Sequence, residues 1–191
     1  QIVDATQKMF YKAFKNVEPT GKAVLIALDV SSSMNWNDLL GIPGFTPSMA
    51  AACMSMVIAR TEKNYMIMGF ADEFRPLNIT AEASLAQICE YTQHMSFGGT
   101  DCSLPMVWAE EKGYIVDTFL ILTDNETWAG PIHPKQALDS YRRKINPNAK
   151  VAVAAMTADN FSIADPNDRG MLDIVGFDSA FPQVLREFMV S

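Results

Sequence analysis

A doubly wound α/β domain, with a mainly parallel sheet covered by helices on both faces, is the fold this sequence predicts. Three observations predict it. Apolar runs of strand length, at residues 23–28, 65–70, 116–122 and 150–156, read as strands buried on both faces. Segments of helical spacing separate them, which makes successive strands parallel through right-handed crossovers. A chain of 191 residues that is 49% hydrophobic is long enough for one domain with a sizeable core.

The elements follow in order. Met9, Phe10, Phe14 and Val17 recur at helical spacing up to Glu18-Pro19-Thr20-Gly21, a helix stop. The chain opens at Gln1 inside this segment, so residues 1–20 read as a leading helix and connector from an N-terminal domain outside this chain. Strand 23–29 follows, then a loop with Gly41, Pro43, Gly44 and Pro47 and a helix over about 47–60. After strand 65–70, residues 74–79 form a short edge strand, because Pro76 cannot donate to a ladder. Thr80 caps a helix over 82–92 with Glu82 in its first turn. Gly98-Gly99-Thr100 leads into a helix containing Met106 and Trp108. Strand 116–122 ends at Thr123-Asp124, Pro134 opens a helix to Lys144, and strand 150–156 follows. A short strand at 174–177 and a helix at 181–189 close a single domain, 1–191.

Open α/β sheets place ligands beyond the carboxyl ends of their strands. There the sequence sets Asp29-Val30-Ser31-Ser32-Ser33 and Asp124, with Thr100 after two glycines. Two carboxylates and three hydroxyls make an all-oxygen set suited to a hard divalent ion, Mg²⁺ or alternatively Mn²⁺. Two aspartates neutralise such an ion, and hydroxyls are weak ligands, so a coordination position stays open to an incoming carboxylate or water. Asn125 and Glu126 lie close enough in sequence to support the site. Trp36 and Trp128 lie within a few residues of proposed ligands and suit a partner anchor as well as a loop base. Asp101 reads as a helix-start residue, and Arg169 as available to a nearby aspartate.

The net charge of −7 argues against nucleic-acid binding through phosphates, which wants a basic patch. The densest basic spot, Arg142-Arg143-Lys144, reads as a solvated helix end favoured by the macrodipole. Three cysteines lie far apart, Cys53, Cys89 and Cys102; Cys53 and Cys89 read as small core residues, and three unpaired thiols favour a reducing compartment. His94 and His133 have no zinc-ligand spacing to them. No run approaches the roughly 20 apolar residues of a membrane span.

Asp-x-Ser-x-Ser from Asp29, the later Gly-Gly-Thr-Asp and the strand ending Thr123-Asp124 resemble the metal-ion-dependent adhesion site of von Willebrand factor A domains. That resemblance implies that Ser31, Ser33 and Thr100 ligate Mg²⁺, with Asp29 and Asp124 binding directly or through water, and that an acidic residue of a partner protein completes the shell. A narrower resemblance covers nearly the whole chain. It rests on Met9 to Lys15 with Glu18 to Lys22, and on Gly98-Gly-Thr-Asp-Cys-Ser-Leu-Pro-Met106. It rests also on Thr123-Asp-Asn-Glu-Thr127 and Ile163-Ala-Asp-Pro-Asn-Asp-Arg-Gly-Met-Leu-Asp173. These resemble the C-terminal A domain of the Ro 60 kDa ribonucleoprotein family. In that family a separate ring of helical repeats binds Y RNAs and misfolded small RNAs. The resemblance therefore implies a non-enzymatic, monomeric module of a small-RNA quality-control protein in cytoplasm and nucleus, without strong RNA binding of its own. An extracellular adhesion A domain is an alternative, weakened by the absence of a flanking disulfide pair. A Mg²⁺-dependent phosphotransferase is another, but it wants a second aspartate where Ser31 stands.

Overall fold

The computed structural model describes residues 17–71, 73–77, 79–84, 86–88, 90, 99–124, 130–157, 163–176, 178 and 180–191. The leading helix expected over residues 1–17, Cys89, His94, Gly98, Asn125, Glu126 and Trp128 lie outside this set, apart from Val17 at the helix's end. Described elements run β1 (Ala23–Asp29), a 3₁₀ turn (Ser32–Asn35), α1 (Pro47–Thr61), β2 (Asn64–Phe70), β3 (Phe74–Pro76) and α2 (Leu104–Lys112). They continue with β4 (Thr118–Thr123), α3 (Pro134–Lys144), β5 (Lys150–Ala155), β6 (Met171–Val175) and α4 (Phe181–Val190).

The sheet order is β3-β2-β1-β4-β5-β6. All pairs are parallel except β2–β3, and Pro76 sits on that antiparallel edge as its missing donor requires. Alternation divides the core between the two faces. Ile26, Leu28, Leu120, Leu122, Ala152 and Ala154 pack with α1 and α4. Leu25, Ala27, Phe119, Ile121, Val151 and Val153 pack with α2 and α3. Consecutive residues of β1, β4 and β5 thus point into opposite apolar layers, which is why these strands read as unbroken apolar runs.

Local chemistry sets the ends. Thr46 accepts a hydrogen bond from Met49 N (3.4 Å) ahead of Pro47 at the first helical position, a combination that starts a helix without stranding a donor. Gly113, with φ +62°, ends α2 in the left-handed region where a side chain would be strained. The connector is held as well. The buried carboxylate of Glu62 accepts from Thr20 N, Thr20 Oγ1 and Gly21 N at 2.8, 2.8 and 3.1 Å, fixing residues 20–21 to the end of α1.

Three expectations need correction. Residues 86–88 are helical, but 81–82 are turn and Ser84 makes the cap: it accepts from Gln87 N (3.2 Å) while Gln87 Oε1 accepts from Ser84 N (2.8 Å). That reciprocal pair satisfies two backbone donors, so it outcompetes Thr80. The last strand begins at Met171, not Ile174, because Met171 to Val175 pair in register with Val151 to Ala155; Asp173 is tolerated within it by accepting from Ala164 N at 3.0 Å. Finally, Arg142 is not a solvated helix end. Its guanidinium donates to Asp168 (2.5 and 3.3 Å) and to Ala149 O (2.8 Å), so Arg142 rather than Arg169 makes the ion pair of the 165–170 turn.

Candidate metal centre

In this strand order the chain leaves β1 toward one edge and β4 toward the other, so a crevice opens between their carboxyl ends. Asp29 ends β1 there and Thr123-Asp124 ends β4. Buried Asp29 (2% exposed) is the hub. Its Oδ1 accepts from Ser31 N at 2.8 Å. Its Oδ2 accepts from Thr123 Oγ1 at 2.7 Å and from Thr100 Oγ1 at 3.3 Å. The hydroxyls of Ser31 and Ser33 lie 3.0 Å apart, set by the 3₁₀ turn that starts directly after Ser31. Asp29, Ser31, Ser33 and Thr100 are therefore brought together from β1, its following turn and the segment before α2.

Asp124 joins from β4. Its Oδ1 lies 3.5 Å from Thr123 Oγ1, and its carbonyl accepts from Thr157 N and Thr157 Oγ1 at 2.8 and 2.5 Å. Burial pushes the Asp29 carboxyl up to about 6; hydrogen bonds from Ser31 and Thr123 oppose this, and the Asp124 charge adds to it. Burial holds the Cys102 thiol well above its ordinary range, helped by the charges of Asp29, Asp101 and Asp124. The crevice is thus a place of concentrated negative charge, which a cation would relieve.

The donor set fits a hard cation better than a soft one. Among the described residues no three His, Cys, Asp or Glu side chains form a metal-holding group; the centre has two carboxylates, and its remaining donors are hydroxyls. Zinc or copper prefer nitrogen and sulfur, and the proposed ligands among the described residues carry neither.

Other expected residues divide clearly. Asp101 is a helix-start residue: Oδ1 accepts from Ser103 N (2.9 Å) and Ser103 Oγ (2.6 Å). Its carboxylate also fills the space beside Gly130, where a Cβ would come within 2.5 Å. Trp36 is 73% exposed at the end of the 3₁₀ turn, so it does not pack a loop base. Thr123 and Thr157 were not singled out in the sequence. The only signal for Thr123 is a hydroxyl ending an otherwise apolar buried strand; Thr157 carries no local signal.

Fold and centre together define the class: a von Willebrand factor A-type domain. Residues 23–189 match the family model of the Ro60 vWA domain, and the chain belongs to that family. It is 51% identical over 98% of its length to RNA-binding protein RO60 of Deinococcus radiodurans, and 45% identical over 99% to that of Caenorhabditis elegans. It spans 35% and 29% of those relatives' lengths. The crystal structure of the Deinococcus radiodurans RO (RSR) protein superposes with a TM-score of 0.89 at 50% identity, covering 98% of this chain and 38% of that one. Manganese-loaded Plasmodium vivax TRAP protein shares the fold at 13% identity, with a TM-score of 0.55 and coverage of 88% of this chain and 74% of that one.

Proposed function

We propose that this domain is a non-enzymatic binding module that takes up Mg²⁺, or Mn²⁺, through Asp29, Ser31, Ser33, Thr100 and Asp124. The observation that carries the reading is the gathering of Ser31 N, Thr100 Oγ1 and Thr123 Oγ1 on the buried Asp29 carboxylate, with the paired Ser31 and Ser33 hydroxyls beside it. When bound, the ion supplies a Lewis-acidic position for an acidic group of a protein partner. Asp29 and Asp124 balance its charge, and the hydroxyls orient it without quenching it. Exposed Trp36 stands at the rim, where an aromatic side chain is available to that partner.

The wider role follows from the family. We propose that the parent binds small RNAs, Y RNAs and misfolded transcripts among them, through a domain outside this chain, in cytoplasm and nucleus. The present domain, monomeric in itself, contributes the metal-dependent contact. The relatives' name supports RNA binding by whole proteins of this family.

The test is thermal unfolding with and without Mg²⁺ or Mn²⁺, for the native chain and Asp29→Ala. A metal that binds only the folded state at about 100 times its dissociation constant adds roughly 2.7 kcal/mol. The expected result is a rise in Tm for the native chain that Asp29→Ala abolishes. Equal behaviour of the two proteins under saturating metal rules the metal site out.

A further inference from the structure

The opposite end of the sheet holds a second feature that the metal reading does not use. A surface cavity of about 630 Å³ lies at the amino ends of β1, β4 and β5, walled by the last turn of α4. Four cations, Lys22, Arg142, Lys150 and Arg169, line it together with the carboxylate of Asp117 and the terminal residue Ser191, on a chain whose net charge is −7.

The negative charge there is already committed. Asp117 accepts from Ala23 N (2.9 Å) and from Asn146 Nδ2 (3.2 Å). Asp168, behind the cavity, is taken by Arg142. Lys150 donates to Phe188 O, Ser191 O and Ser191 Oγ at 2.7, 2.9 and 3.0 Å; in the 191-residue chain Ser191 O belongs to the terminal carboxylate, which balances the Lys150 charge. Burial, then the neighbouring charge of Lys22, pulls the Lys150 ammonium below its ordinary value. Among the described residues neither Lys22 nor Arg169 has an ion pair. Like charges facing one cavity repel, and an anion placed among them removes that cost while gaining charge-assisted hydrogen bonds.

We propose that this cavity binds a single phosphoryl group, with Lys22 and Arg169 as its donors beside the already paired Lys150 and Arg142. Arginine suits the flat face of a phosphate, and lysine supplies a mobile point charge. The volume lies within the range of small-ligand sites, so a free phosphate, a mononucleotide or the phosphate of a nucleic-acid strand can all reach it. The site is independent of the metal centre: β1 separates them by roughly 20 Å at about 3.3 Å per residue.

The test titrates inorganic phosphate and uridine 5′-monophosphate into the 191-residue chain, in EDTA at constant ionic strength, and follows backbone amide shifts by NMR. The expected result is saturable shifts confined to residues 22, 147–150 and 169–170, with an affinity of about 1 mM or better. The Lys22→Gln/Arg169→Gln variant, whose changes lie at the surface, should bind at least tenfold more weakly, and Asp29→Ala should bind normally. Tighter binding of the nucleotide than of phosphate identifies a nucleotide or strand as the source, and equal binding identifies free phosphate. The proposal fails if no saturable shift occurs, or if a double variant with an intact spectrum binds as tightly as the native chain. Neither failure touches the metal reading, because EDTA keeps that centre out of the measurement.

Discussion

Asp29 is asked to be charged where charge is expensive. Its folded-state pKa of about 6 lies above the ordinary 3.8 because burial outweighs the hydrogen bonds from Ser31 and Thr123. A shift of roughly two units corresponds to about 3 kcal/mol at most. The folded, metal-free chain therefore binds more protons than the unfolded one between about pH 4 and pH 6, and this contribution to stability falls as pH rises through that window. Asp29→Asn should flatten the fall and raise metal-free stability at pH 7 by about 1–3 kcal/mol, read as Tm against pH in EDTA. A metal at the proposed site would have to displace the proton. The Mg²⁺-induced rise in Tm should accordingly be larger at pH 7 than at pH 5, and a rise equal at both pH values excludes Asp29 as a metal-coupled group.

At the scale of elements, the Arg142–Asp168 pair joins the end of α3 to the turn before β6, and Gly170 makes room for it. A Cβ at residue 170 would lie 2.1 Å from Arg142 Nη2, so Gly170→Ala should displace the guanidinium. We expect Gly170→Ala and Asp168→Asn each to destabilise by about 1–3 kcal/mol, and the double variant to cost clearly less than their sum because both break one contact. Denaturant melts of the native chain and the three variants measure this. Arg142 also holds the Asp168 carboxyl below its ordinary range, so the pair's contribution is present above the ordinary carboxylate pKa and fades as pH falls through the lowered one. A second element-scale contact is the hydroxyl of buried Tyr141, which donates to Tyr114 O (2.7 Å) and accepts from Val116 N (2.8 Å). Tyr141→Phe should cost about 1–3 kcal/mol by stranding both backbone groups, again read from denaturant melts. Neither contact was legible beforehand, because each joins residues distant in sequence. What was legible is what periodicity and local chemistry write down. The core strands announced themselves as apolar runs, and Asp29, Ser31, Ser33, Thr100 and Asp124 as oxygen donors at strand ends. Boundaries were lost where a tertiary hydrogen bond decides them, as at Ser84 and Asp173. Thr123 and Thr157 were lost because a hydroxyl that supports a ligand looks like any other threonine.

Over the whole molecule, charge is sorted along the strands. The carboxyl ends carry buried Asp29 and half-buried Asp124 of the candidate metal centre, and the amino ends carry the cationic cavity. A chain of net charge −7 has few cations to spend on a polyanion. For single strands, log K falls with log salt by about 0.7 per phosphate neutralised. If the cavity takes one phosphate, the slope for a short single-stranded RNA on this chain should be shallower than about −2, and affinity should change by less than about twentyfold between 50 and 200 mM salt. Fluorescence anisotropy of a labelled oligonucleotide, in EDTA, measures it. A slope of about −4 or steeper would mean that the RNA runs over a basic surface wider than the cavity, and the domain would then take a direct part in RNA binding by the parent. A shallow slope that vanishes in Lys22→Gln/Arg169→Gln confines the contact to one phosphate, and leaves the affinity of any larger RNA to the part of the protein outside this chain.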